Sequence, residues 1–179
     1  MKNIFIALIL ISSTANAQLI KTDNWKHFTE KTFFSSISYP PGWTLDDEVA
    51  AGNGSYIIYA PEKKDKQAFR ENVNMLTYYI PGTPLKMDVK DFAETNFSQL
   101  RKTLKDCKVL SNKYVTINGL TMYMVACTGM AGAQFLYFKQ LYCLDKGVGY
   151  MVSYTCEAGK KDPYSDISDA ILASFKPAK

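Results

Sequence analysis

The sequence predicts an α+β domain: an antiparallel β-sheet meander whose central strand is covered on both sides, consistent with one helix packing on each face. Three observations predict it. Aromatic residues are abundant, with 12 Tyr and 10 Phe, and most fall inside β-like segments, as a large sheet requires. Asn118-Gly119 stands between two strand-like stretches, and Asn-Gly is the strongest short hairpin signal. Two other segments, 88–104 and 162–175, place apolar residues at helical spacing instead.

The chain opens with a basic flank, Met1-Lys-Asn3, an apolar run from Ile4 to Ile11, and a small polar stretch, Ser12-Ser-Thr-Ala-Asn-Ala17. That order is the pattern of a secretory signal peptide. The run is shorter than the roughly 20 apolar residues a bilayer span needs, and Ala15-Asn-Ala17 is a small-x-small site. Cleavage is expected between Ala17 and Gln18. No cysteine lies near that junction to carry a lipoprotein anchor, and no later stretch is apolar enough to stop transfer. Residues 1–17 are therefore expected to be removed. The mature protein, 18–179, is expected to be one periplasmic or secreted domain with no transmembrane segment, long enough to bury about two thirds of its unfolded surface.

The stretch from Phe34 to Leu45 reads as strand, forced turn, strand. Ile37 and Tyr39 alternate with Ser36 and Ser38, and Pro40-Pro41 then removes two successive backbone donors. Trp43 is expected to plug the core behind that corner. Ahead of it, Trp25-Lys-His-Phe28 is expected to form a short helical lead-in, with Trp25 and Phe28 three apart and packed on the sheet edge. Strands are expected at Ser55–Pro61 and Asn72–Ile80, both rich in β-branched or aromatic residues and bounded by Pro or Gly. The charged linker 62–71 is expected to loop.

The first helix is expected from Asp88, as N-cap, to Leu104, with Asp91 complementing the helix dipole. Val89, Phe92, Ala93, Leu100 and Leu104 make its apolar stripe. The second is signalled by Asp162-Pro163, an N-cap followed by proline at the first helical position. Tyr164, Ile167, Ile171, Leu172 and Phe175 form its apolar face. Between the helices four strands are expected, at 109–116, 121–128, 134–144 and 148–156. Phe135–Leu144 is apolar on both pleat faces and is expected to be central.

Tyr39-Pro-Pro-Gly-Trp43, a helix after the fourth strand, the Asn118-Gly-Leu120 hairpin, and Gly149-Tyr-Met-Val-Ser-Tyr154 leading to a helix ending Ser174-Phe175 together resemble the PsbP-like group. That group includes lumenal PsbP subunits of photosystem II, bacterial periplasmic DcrB-like proteins, and chaperones for type VI secretion effectors. The resemblance covers about Trp25 to Lys176 and implies the PsbP-Mog fold, an α/β/α sandwich with helices flanking an antiparallel sheet. A divergent, secreted bacterial member fits best, because the short signal matches neither a cytosolic effector chaperone nor a chloroplast subunit. The motifs are structural and do not assign an activity.

The residue inventory restricts chemistry. His27 is the only histidine, and no Gly-x-Ser-x-Gly elbow accompanies it, so a hydrolytic triad has little support. The sequence has no His-Glu-x-x-His, Cys-x-x-Cys or P-loop motif, and neither a cofactor nor a metal is expected. Asp46-Asp-Glu48 is consecutive, which in an extended segment turns Asp47 away from its neighbours, so a solvated turn is expected instead of a calcium site. Lys63-Lys-Asp-Lys66 and Lys160-Lys-Asp162 are broken by acids and read as solvated surface; no nucleic-acid partner is expected. Asn53-Gly-Ser55 and Asn96-Phe-Ser98 match the glycosylation sequon by chance for a bacterial signal of this kind.

Four cysteines in an exported protein allow two disulfides in three connectivities. With Asn118-Gly119 as the turn, Cys107 and Cys127 lie toward the open end of one hairpin, where a bulge or curled lead-in would bring them together. Cys143 and Cys156 fall about 20 Å apart along their strands, beyond the ~7 Å Cα separation a bridge allows. Cys127 and Cys156 would flank an intervening strand. Cys107 with Cys127 is the candidate bridge, against four small buried hydrophobes. The favoured function is a non-catalytic binding or accessory module for a protein or envelope partner. The alternatives are an envelope hydrolase using a carboxylate pair and a small-ligand carrier.

Overall fold

The computed structural model describes residues 20–48, 54–65, 69–80, 87–159 and 162–178; the expected signal peptide and its cleavage site lie outside them. The elements follow the order β1 (Lys26–Thr29), β2 (Ser36–Tyr39), β3 (Thr44–Asp46), β4 (Tyr56–Tyr59), β5 (Asn72–Tyr79), α1 (Val89–Thr103), β6 (Lys105–Ile117), β7 (Leu120–Ala131), β8 (Gln134–Asp145), β9 (Val148–Glu157) and α2 (Ser165–Ser174). This is an α+β fold dominated by antiparallel sheet. Seven strands form one sheet in the order β3-β4-β5-β9-β8-β7-β6, and β1 and β2 form a separate pair.

The expected helical lead-in at Trp25–Phe28 is a strand. β1 pairs with β2 from Lys26 opposite Tyr39 to Thr29 opposite Ser36, and four residues gain more from that distant partner than from one turn of helix. The Pro-Pro-Gly corner does more than turn the chain, because β2 and β3 belong to different sheets. Trp43 secures the transfer: its N–H donates to the Pro40 carbonyl at 3.0 Å, and its buried ring meets Tyr164 edge-on at 5.4 Å.

Asp88 caps α1 as expected, accepting from the Lys90 N–H at 2.7 Å. α1 then carries the chain from β5 to β6 at the far edge, and the meander β6-β7-β8-β9 returns until β9 pairs with β5. Asn118 and Gly119 turn the β6–β7 hairpin with φ of 51° and 80°, the left-handed pair a type I′ turn demands. The middle of the sheet is β9, flanked by β5 and β8 and buried along eight successive residues. Phe135–Leu144, expected to be the central strand, is its neighbour β8.

α2 starts later than expected. Asp162 does not occupy the cap position, which falls to Tyr164 with no side-chain cap bond; Asp162 instead accepts from the Tyr164 N–H at 2.9 Å, in the turn before the helix. Beyond α2 the chain is extended, and Lys176 and Ser36 exchange backbone hydrogen bonds of 2.8 and 2.9 Å.

Buried side chains fall into two clusters. One joins Met122, Leu141, Cys143, Tyr150, Val152 and Tyr154 to Ile171, Leu172 and Phe175 and to Ile37, Tyr39 and Trp43. The other joins Tyr123, Val125, Tyr142 and Met151 to Val89, Phe92 and Ala93 of α1. Neighbouring residues of β7, β8 and β9 thus alternate between them, as a strand pleat dictates.

Candidate functional site

The surface most shaped for recognition is a trough between α2 and strands β6, β7 and β8. It has two recesses that share Tyr137. The first, about 320 Å³, is lined by Leu110, Thr128, Tyr137, Cys156, Glu157, Asp162 and Ser165. The second, about 480 Å³, lies between Lys113, Val115, Met124 and Ala126 on the sheet and Asp169, Leu172 and Ala173 on α2, with Lys139 beside them. Both volumes fall in the range of ordinary ligand sites.

Local irregularity opens the trough. The β6–β7 register slips between Val109 and Ser111, a bulge of the kind that re-aims side chains at sheet edges, and Leu110 is left half exposed at the mouth of the first recess. Among the described residues β6 is the terminal strand of the sheet, with no strand paired on its outer edge. Val109 and Tyr114 are exposed on the same strand.

Three of the charged groups are fixed by close contacts. In the first recess the Tyr154 hydroxyl donates to Asp162 at 2.9 Å, at the same carboxylate oxygen that takes the Tyr164 N–H. Burial and the Asp162 carboxylate push the Cys156 thiol up to about 12, so it stays protonated at neutral pH and is a poor nucleophile. Desolvation foremost, then the bond to Asp162, raises Tyr154 strongly as well. In the second recess Lys139 makes a close ion pair with Asp169 across the gap between β8 and α2. Burial raises Tyr137, with Lys139 opposing.

The residues weighed for chemistry from the sequence lie elsewhere. His27 is exposed on β1, its ring 3.3 Å from the Ser38 hydroxyl and 3.5 Å from that of Thr29. Asp46 ends β3 and accepts from the Glu48 N–H at 3.2 Å, a local turn in which Asp47 and Glu48 face solvent. Among the described residues no three His, Cys, Asp or Glu side chains converge to hold a metal. Lys63 pairs with Glu71 at 2.6 Å. Asn96 lies within α1 and donates to the Phe92 carbonyl at 2.8 Å; Asn53, Lys66, Lys160 and Lys161 lie outside the described residues. Cys107 and Cys127 are both present as thiols, and Cys107 adds to the burial that raises the Cys127 thiol. Cys143 and Cys156 stand opposite Tyr150 and Tyr137, six positions apart along the β8–β9 ladder.

Sequence reasoning missed the trough residues and Phe34. Phe34 is 66% exposed with φ of 54°, held on a turn where Glu30 accepts from the N–H groups of Thr32 and Phe33. A left-handed aromatic is uncommon, and no sequence signal announces it.

An antiparallel seven-stranded sheet with two helices and an added two-stranded flap has the PsbP-like fold. Cyanobacterial PsbP (CyanoP) from Synechocystis sp. PCC 6803 is similar at a TM-score of 0.62 and 13% identity, over 86% of this chain and 92% of that one. PA94 of Pseudomonas aeruginosa, a protein of unknown function, is similar at 0.60 and 11%, over 87% and 98%. LpqN of Mycobacterium tuberculosis, involved in cell envelope biogenesis, is similar at 0.60 and 10%, over 88% and 93%. No protein-family model and no curated protein matches the chain. Identities this low establish a shared fold and leave function to the chain's own residues.

Proposed function

We propose that this protein is an exported, non-catalytic binding or accessory module that holds a protein or envelope partner in the trough between α2 and β6–β8. The observation that carries this reading is the trough itself: an open surface of mixed apolar and polar lining beside the terminal strand β6, in which Asp162, Lys139 and Asp169 are held by fixed partners. Extended partners add to such edges through backbone hydrogen bonds while neighbouring recesses select side chains. Removal of 1–17, a single mature domain over 18–179, and a periplasmic or secreted location belong to the same proposal. The Ala15-Asn-Ala17 pattern and LpqN's role in envelope biogenesis support it. The domain is read as an α/β/α sandwich with α1 and α2 on opposite faces, supported by the alternation of adjacent strand residues between the two buried clusters. Among the described residues no helix is long and apolar enough to cross a membrane.

Affinity capture from a cross-linked envelope fraction, with the mature chain as bait, tests the reading. Wild type should enrich one dominant partner, and Leu110→Glu, which changes a half-exposed side chain, should lose it by tenfold or more while melting at the same temperature. Equal recovery by both baits would place the partner elsewhere, and no enrichment by either would remove the proposal.

One observation favours a carboxylate-based hydrolase as the second reading: Glu157 and Asp162 line the same recess. Its requirement is a free proton carrier, whereas Asp162 already accepts two hydrogen bonds. The small-ligand carrier shares the recess volumes with the favoured reading, and a partner-free extract that shifts the melting temperature would support it.

A further inference from the structure

The open end of the β6–β7 hairpin brings two thiols together by a backbone irregularity. β6 and β7 pair regularly from the Asn118-Gly119 turn down to Ser111 opposite Ala126, then slip twice, between Ser111 and Val109 and between Lys108 and Lys105. Asp106, inside the second slip, takes φ of 54°. The two residues between Lys105 and Lys108, Asp106 and Cys107, face only one residue of β7, Gly129, between Met130 and Thr128, so the strand bends toward its neighbour there. Gly129 lets Leu104 close over it, since a Cβ built there would lie 2.9 Å from the Leu104 Cβ, and the Cys107 Cα packs alongside at 3.4 Å. The Cys107 thiol is thereby brought near enough to Cys127 to act on it, adding to the burial that raises the Cys127 thiol. The other two cysteines have no such geometry, since Cys143 and Cys156 are separated along their ladder, and Cys156 stands across β8 from Thr128, with a whole strand between it and Cys127.

We propose that Cys107 and Cys127 are joined by a disulfide in the exported protein, closing the end of the β6–β7 hairpin opposite its turn. Cys143 and Cys156 remain buried thiols. The chemistry is exchange with an external disulfide donor, the class of oxidant found where exported proteins fold. Cys107 is partly exposed and Cys127 only 1% exposed, and burial first, then the neighbouring Cys107, pushes the Cys127 thiol up to about 12. Cys107 therefore reacts first. Its thiolate attacks one donor sulfur, forms a mixed disulfide and expels one donor thiol. The Cys127 sulfur then attacks the Cys107 sulfur, forming the internal bond and expelling the second donor thiol. Two electrons and two protons pass to the donor in all.

The inference rests on export for its oxidant and on the bulge for its geometry, and the test separates the two. Protein recovered from the envelope fraction is alkylated under denaturing conditions without reductant, digested and analysed by mass spectrometry. The expected result is one linked peptide pair containing Cys107 and Cys127, with Cys143 and Cys156 alkylated. Four alkylated cysteines, or any other pairing, overturns the proposal. In parallel, reduced and folded protein is exposed to oxidised glutathione. A bridge formed there but absent from cells would overturn the proposal through its location, and no bridge in either would overturn it through its geometry. Reductant should lower the melting temperature of the bridged protein by roughly 6–12 °C, the scale for a loop of this length in a domain of this size. The double variant C107S/C127S should show no response to reductant.

Discussion

Gly149 shows how far one missing methyl group decides packing. It lies on β9 beneath α1, and a Cβ built there would sit 2.5 Å from the tip of the Phe92 ring. That ring also meets Tyr78 and Tyr142 edge-on, at 5.7 and 6.0 Å, so it has no free direction in which to retreat. Gly149→Ala should destabilise by about 1–3 kcal/mol, the ordinary range for overpacking. Adding Phe92→Leu should recover part of that loss, so the urea-derived effects of the two changes should fall short of their sum. Additive effects would mean that the ring moves aside freely. Nothing in the residues around Gly149 announces this contact, because Phe92 reaches it from another element. Asp88, by contrast, was legible as a cap because its partner, the Lys90 N–H, is two residues away.

At the scale of elements, Asn118 serves two structures at once. Its backbone makes the hairpin turn, and its side chain donates to the carbonyls of Ala173 and Phe175 at 3.3 and 2.9 Å, at the C-terminal end of α2. Asn118→Gly keeps the turn and removes the bonds, so it should cost about 1 kcal/mol. Asn118→Ala removes both and should cost about 1–2 kcal/mol more, because alanine resists left-handed backbone. Denaturant melts of the two variants check that order, and an Asn118→Gly as stable as wild type would remove the side chain's role. The hairpin, α1 and the apolar face of α2 were readable because turn chemistry and helical periodicity are local. β1 was not, since Trp25 and Phe28 are three apart, a spacing a helix would also use, and only β2 reveals the strand. The start of α2 was misplaced for a related reason: Asp162 does cap a backbone N–H, but of the turn before the helix. The trough was illegible because it depends on a bulge at Leu110 and on where α2 docks, neither of which has a sequence signature of its own.

Across the whole molecule, buried thiols tie stability to alkaline pH. Burial foremost, with Asp145 adding, raises Cys143 from 9.0 to about 12, and burial with Asp162 does the same for Cys156. The folded protein therefore keeps protons that the unfolded chain releases. Their contribution is fully present below pH 9 and is lost as pH rises toward 12. Tyr150, raised by burial from 10.0 to about 12, adds to the decline in the upper part of that window. The urea midpoint should be level between pH 7 and 8.5 and fall progressively above it, less steeply in Cys143→Ala. A profile flat to pH 11 would show that these thiols are open to water.

The exchange of backbone hydrogen bonds between Ser36 and Lys176 bears on how the chain is made. Translation delivers β1 and β2 before the large sheet, yet the outer edge of β2 waits for a partner that follows every other element in the chain. A nascent chain halted just after α2 has every strand of the large sheet and the Ser174–Ser38 contacts, yet still lacks the backbone pair that closes the edge of β2 at Ser36. Amide protection of Ser36 should therefore arrive only after Lys176 has emerged, and a fusion joined tightly after Lys176 would hold that edge open where a longer tether would let it close.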